Sequence, residues 1–319
     1  MKKILIALLT LALTLSGGLA AYAQEQAQPV RVASLKGPTS MGLVKLMQDD
    51  KETGVYSFTV SGTADEIVPL LVKGELDIAL VPCNLASVLF NRTEGGVQVA
   101  AINTLGVLYI VEVGDQVNSV ADLQGATLYA TGKGTTPEYA LNAILRGNGL
   151  DPQSDLTIEY KAEATEVAAA LNAGQVTLAM LPQPYVSAVS AQNPQLRVAL
   201  DLTQCWDQVM PDSALITGVV LLRRDFAQQR PEAVSAFMEA YRASTAYTNE
   251  HPQEASAWIE ELGIAQAAVA EKAIPYCNIV CIEGEEMQEK IAGYLDSLYQ
   301  QDPTSVGGAL PDESFYYVG

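Results

Sequence analysis

The sequence predicts a two-lobed α/β protein, and three observations carry the prediction. The chain repeats itself at an interval of about one hundred residues. Each copy alternates short apolar runs with amphipathic ones, the order that builds a mostly parallel sheet flanked by helices. The 319 residues, 49% of them apolar, also exceed what one simple core holds, so two cores are the default.

The repeat is clearest between residues 66–82 and 166–182. Glu66 matches Glu166, Leu71 matches Leu171, Gly74 matches Gly174, Ala79 matches Ala179 and Pro82 matches Pro182. Each copy reads as a helix closed by a glycine cap, then a short buried strand, then a proline stop. A second pair lies upstream. The strand-like Val30 to Ala33 runs into Ser34, Lys36, Gly37 and Thr39, ahead of a helical stretch from Met41 to Met47. The strand-like Thr127 to Ala130 runs into Thr131, Lys133, Gly134 and Thr136, ahead of a helical stretch from Tyr139 to Leu145. In both, a strand ends in Lys-Gly and a cluster of Ser, Thr and Pro opens a helix.

The apolar runs Val107–Val113 and Ala214–Leu222 bracket the second copy and read as crossing strands, so a two-strand hinge joins the lobes. Helical spacing then recurs over Tyr241–Tyr247, Ala255–Leu262 and Met287–Tyr299, a tail that needs a surface to pack on. The first lobe supplies it. The expected lobes are therefore 29–110 plus 216–319, which is discontinuous, and 111–215.

The chain opens with Lys2 and Lys3, an apolar run from Ile4 to Leu15, and small residues at Ala21 and Ala23. That pattern is an export signal over residues 1–23, cut before Gln24, and it implies an extracytoplasmic protein in the periplasm or at the cell surface. Glycine stands where a lipid-bearing cysteine would belong after Leu15-Ser16-Gly17, so no lipid anchor is expected. Without residues 1–23 the chain keeps 16 basic and 37 acidic residues, a net charge of −21. Such a surface repels nucleic acid and anionic membranes. Cys83, Cys205, Cys277 and Cys281 are too few for a disulfide scaffold in a chain this long, and read as buried thiols, with one disulfide as the alternative. His251 is the only histidine, and no second cysteine pair accompanies Cys277 and Cys281, so neither a metal nor a cofactor is expected.

Three stretches carry a family resemblance: Val120-Ala-Asp-Leu-Gln-Gly125, Leu171-Asn-Ala-Gly174 with the strand to Pro182, and Asp225-Phe-Ala-Gln-Gln-Arg-Pro231 before a long helix. Over about residues 29–300 the chain resembles the periplasmic-binding-protein-like proteins of ABC importers, nearest the group that binds sulfonates, nitrate, taurine and thiamine pyrimidine precursors. The resemblance implies a two-lobed clamp that captures a small molecule between its lobes and delivers it to a membrane permease. A monomer that carries out no chemistry is expected.

The two Lys-Gly loops stand before helix N-termini, where free N–H groups and the positive dipole end attract oxyanions. Lys36, Gly37, Thr39 and Ser40 from the first loop, and Lys133, Gly134, Thr135 and Thr136 from the second, are the expected ligand contacts. Ser61, Gly62 and Thr63 follow the second strand. Asn84 and Gln183 follow the third strands and are expected to orient a ligand by hydrogen bonds. Asn103, Thr104 and Trp206 are further candidates. Neither loop holds an arginine for a bidentate carboxylate clamp, so an oxyanion such as a sulfonate, or a heteroaromatic precursor, is the expected ligand. Two other readings use the same architecture. One is a sensing protein that reports ligand to a membrane receptor. The other is an enzyme, disfavoured because no nucleophile elbow, metalloprotease or phosphate-loop motif occurs.

Overall fold

A computed structural model describes residues 28–319. The expected export signal lies outside the described residues.

The chain begins with β1 (Val30–Leu35), α1 (Pro38–Met41), α2 (Val44–Asp50), β2 (Tyr56–Ser61), α3 (Ala64–Val72), β3 (Ile78–Pro82), α4 (Cys83–Arg92) and β4 (Val97–Leu105). After a crossing at Gly106 come β5 (Leu108–Val113), β6 (Thr127–Ala130), α5 (Thr136–Gly147), β7 (Thr157–Tyr160), α6 (Ala164–Asn172), β8 (Leu178–Pro182), α7 (Tyr185–Gln192), β9 (Leu196–Asp201) and α8 (Leu202–Val209). The chain returns through β10 (Ile216–Arg223) into α9 (Arg224–Gln229), α10 (Pro231–Glu250), α11 (Pro252–Glu261), α12 (Ala267–Ala273), β11 (Ile279–Ile282) and α13 (Gly284–Gln301).

The larger sheet has the order β11-β4-β10-β3-β1-β2 and the smaller one β7-β6-β8-β5-β9. Apart from β11 the two orders are the same: second, first, third, an inserted strand, fourth. The repeat seen in the sequence is therefore a repeat of topology. The caps match as well. Gly74 and Gly174 take φ of +75° and +67°, and the next amides, Glu75 N and Gln175 N, reach back to Leu70 O at 2.8 Å and Ala170 O at 3.0 Å. Glycine is needed there because a side chain pays a steric penalty in the left-handed region.

The sheets are mixed: the four repeat strands of each run in one direction, as expected, and the inserted strand runs against them. β1 pairs in parallel with β2 and β3, and β6 with β7 and β8. β10 runs antiparallel to both β3 and β4, and β5 to both β8 and β9. The cause is the crossing itself. A strand arriving from the other lobe enters at the opposite end of the sheet, so it runs against the four strands of the repeat. The first helical stretch also divides, into α1 and α2 on either side of Gly42. An added Cβ at Gly42 would stand 2.9 Å from Tyr241 Oη and 3.0 Å from Thr245 Oγ1, so α10 packs directly on that backbone.

One core runs through both lobes, joining Ala33, Leu89 and Ile102 to Leu128, Leu141, Trp206 and Tyr294. The opposite face of the larger sheet is covered by α2 and α10 through Leu43, Leu46, Phe237 and Tyr241. The opposite face of the smaller sheet is covered by α6 and α7 through Val167, Leu171 and Val189. At the end of the larger sheet away from the crossings, buried Asp77 receives Arg31 N and Nε, both at 2.9 Å, Arg31 Nη2 at 2.6 Å and Arg223 Nη2 at 3.0 Å. The smaller lobe has its own buried carboxylate, Glu112, held by Arg197 at 2.7 Å and by the amides of Gln116 and Val117. All four cysteines are free, and burial raises the thiol pKa of Cys83 and Cys277, which keeps them protonated and unreactive.

Candidate functional site in the interlobe cleft

The C-terminal ends of the repeat strands in both sheets point toward the crossings, and the cleft lies where they meet. Gly106 makes the first crossing possible. An added Cβ there would stand 2.1 Å from Thr203 Oγ1 of α8 and 3.1 Å from Leu215 beside the second crossing. Close packing at the hinge therefore allows no side chain.

The first Lys-Gly loop forms as expected. Lys36 N donates to Ser61 O at 2.8 Å, bringing the ends of β1 and β2 together. Gly37 has φ +135°, open to glycine almost alone. The hydroxyls are spent locally, however. Thr39 Oγ1 donates to Leu35 O at 2.7 Å, and Ser40 Oγ lies 2.6 Å from the same carbonyl and 2.9 Å from Ser34 Oγ. The helix they open, α1, is a single turn. Lys36 keeps an exposed side chain, reaching toward Gly263. Gly62 and Thr63 are exposed at the start of α3, and Ser61 is buried. An added Cβ at Gly62 would lie 3.8 Å from Glu163 Oε1, so Gly62 faces the other lobe.

The second loop is occupied by its own helix. The Gly134 amide donates to Glu138 Oε2 at 2.6 Å, and Thr135 Oγ1 donates to Gly132 O at 2.8 Å. A carboxylate in the first turn of α5 thus takes the place an oxyanion ligand would have taken. Lys133 is exposed, 6.0 Å over the Tyr160 ring, and lines a groove of about 350 Å³ built wholly from the smaller lobe. The acidic residue four places after Gly134 was the sequence signal for this arrangement.

Asn84 and Thr136 meet across the lobes. Tyr294 Oη lies 3.1 Å from Thr136 Oγ1, which lies 3.4 Å from Asn84 Oδ1, and Asn84 Nδ2 donates to Ser305 O at 3.1 Å. Trp206 is fully buried and its ring lies 5.5 Å from that of Tyr294, tilted by 48°. These residues join the lobes through α13, a contact that pattern reading of the separate segments did not reveal. Gln183 caps its own helix, its Oε1 accepting from Ser187 N at 3.2 Å and from Ser187 Oγ at 2.9 Å. Tyr109 Oη donates to Tyr276 O at 3.3 Å as a further link between the lobes.

Other polar groups at the strand ends lack protein partners. Both amide atoms of Asn103 and the hydroxyls of Thr104 and Thr217 are buried without a hydrogen bond. Asn103 and Thr104 close β4, and Thr217 opens β10, so all three stand beside the crossings. Buried polar groups are nearly always paired, so these unpaired atoms at the strand ends stand out, although others, among them Trp206 Nε1, Tyr160 Oη and Ser305 Oγ, are unpaired as well.

Two repeated α/β lobes, two crossings and a cleft at converging strand ends define the fold of the solute-binding proteins of ABC transporters. The chain belongs to the NMT1/THI5-like family, whose model matches residues 65–255. No curated protein matches it in sequence. It is similar to an ABC transporter protein from Parabacteroides distasonis at 27% identity and a TM-score of 0.75, covering 91% of this chain and 99% of the other. It shares its fold with the periplasmic aliphatic sulphonate binding protein of Escherichia coli, at 17% identity and a TM-score of 0.72, covering 91% and 92% of the two chains. The alkanesulfonate-binding protein of Xanthomonas axonopodis pv. citri, solved bound to MOPS, matches at 16% identity and 0.69, covering 89% and 94%.

Proposed function

We propose that the exported chain, acting as a monomer, captures one small polar molecule in the interlobe cleft and hands it unchanged to an ABC permease. The observation that carries this reading is the doubled strand order, which sets two sets of strand ends against each other across a two-crossing hinge. The moving units in this proposal are residues 29–110 plus 216–319 and residues 111–215. Two ligand classes have support from particular observations. The exposed Lys36 ammonium, together with the sulfonate-binding proteins that share the fold, favours an oxyanion such as a sulfonate. The Glu138 carboxylate seated at the second loop, and loop hydroxyls bonded to their own backbone, favour a neutral molecule.

A thermal-shift screen of residues 24–319 against sulfonates, nitrate, amides and heteroaromatics tests the proposal. The expected result is saturable binding at one site per chain, with the compound recovered intact by mass spectrometry after heat release. A chemically altered product would overturn the carrier reading. Lys36→Ala separates the classes: an oxyanion loses a charge-assisted hydrogen bond, about ten- to a hundredfold in affinity, and a neutral ligand loses little.

A further inference from the structure

We infer that Asn103 is the residue that sets ligand specificity, and that it takes a neutral group presenting a hydrogen-bond acceptor and a donor on adjacent atoms. The inference rests on the solute-binding reading above and names the chemistry of that same cleft. The Asn103 side chain has no accessible surface, and neither Oδ1 nor Nδ2 has a protein partner. An amide has two N–H donors and one carbonyl acceptor, and leaving all of them unpaired in the interior carries a desolvation penalty. A buried group without partners calls for an explanation, and in this proposal the bound ligand supplies it.

The surroundings hold the amide in place without bonding it. An added Cβ at Gly218 on the neighbouring β10 would stand 2.4 Å from Asn103 Oδ1 and 2.7 Å from Thr39 Cγ2. Gly218 therefore provides the space that Asn103 fills, under the first Lys-Gly loop. Asn103 lies three residues before the Gly106 crossing, at the strand-end floor of the cleft, and Thr104 Oγ1 and Thr217 Oγ1 add two further unpaired hydroxyls. An ionised oxyanion offers acceptors only and would leave Asn103 Oδ1 unsatisfied. A carboxamide, lactam or imide offers C=O and N–H side by side, and pairs with both ends of the amide. The gain for a ligand with that edge is large because a buried site built to hydrogen-bond rejects compounds that cannot answer it.

Two variants and a paired set of probes test this. Asn103→Leu keeps the size of the side chain and removes its donors and its acceptor, and circular dichroism of the ligand-free variant checks that it folds. For binding, benzamide, 2-piperidone and hydantoin are compared with benzoate and ethanesulfonate by calorimetry on the wild type, on Asn103→Leu and on Gly218→Ala, which displaces the amide while keeping it. The expected result is binding of the neutral probes, weakened at least about tenfold in both variants. Binding of the anions alone, unchanged in Asn103→Leu, sinks the assignment to Asn103 and leaves the solute-binding reading standing. Failure of all three neutral probes also overturns the assignment, and failure of every probe counts against the solute-binding reading itself.

Discussion

Asp77 ties β1, β3 and β10 together from a position with almost no access to water. Burial pushes its carboxyl pKa up, but hydrogen bonds from the Arg31 side chain, the Arg31 amide and Arg223 outweigh burial and bring it below the ordinary carboxylate range. A depressed folded-state pKa contributes stability above the unfolded value, roughly pH 4, and that contribution is lost as pH falls through the folded value. Asp77→Ala should cost about 3 kcal/mol at pH 7, because two arginines then face each other without their anion. Urea unfolding at pH 7 and at pH 3 checks it, and the gap from wild type should narrow at the lower pH. Gly74 and Gly174 give a matched pair of tests. Nothing lies within 4 Å of an added Cβ at Gly174, and only Arg223, at 3.6 Å and beyond, near one at Gly74. Gly→Ala at either position should therefore cost about 1 kcal/mol, through the backbone alone. These two glycines were legible in the sequence because helix caps are local and the copies are offset by one hundred residues. The fates of Thr39 and Ser40 were not legible. Both hydroxyls turn to Leu35 O, a choice set by how β1 ends.

At the scale of elements, the sequence located α3, β3, α6 and β8 through spacing alone, since each buries one face against its own sheet. It did not reveal that α13 stands between the lobes. A helix seen as a pattern shows which face is apolar, and not which surface covers it. The Tyr294–Thr136–Asn84 chain of polar groups follows from that placement, so the residues expected to hold a ligand hold the lobes together in this conformation. Tyr294→Phe should destabilise the chain by about 1 kcal/mol, and Asn84→Ala by about 1–3 kcal/mol, because the latter leaves the Ser305 carbonyl without its donor and the Thr136 hydroxyl with Tyr294 alone. The two should not add, since both act through Thr136. A double-mutant cycle by urea denaturation measures the coupling.

For the whole molecule, the repeat, the hinge and the helical tail were all readable because each is written as a period or an interruption of one. Mixed pairing was less accessible, since strand direction depends on where the returning chain enters the sheet. What unites these features is a clamp. Its cleft is shut here, with Gly62 close to Glu163 and Asn84 bonded to Thr136, and Asn103 on its floor out of reach of solvent. In the proposed function a ligand reaches that floor when the lobes part. At a hundredfold excess over Kd, bound ligand should stabilise the chain by about 2.7 kcal/mol. The most direct test is small-angle X-ray scattering on residues 24–319, without ligand and with a saturating compound from the screen. The account predicts a smaller radius of gyration and a scattering curve matching the shut conformation only in the bound sample. One equivalent of bound compound with an unchanged curve, open or shut, would contradict capture by closure.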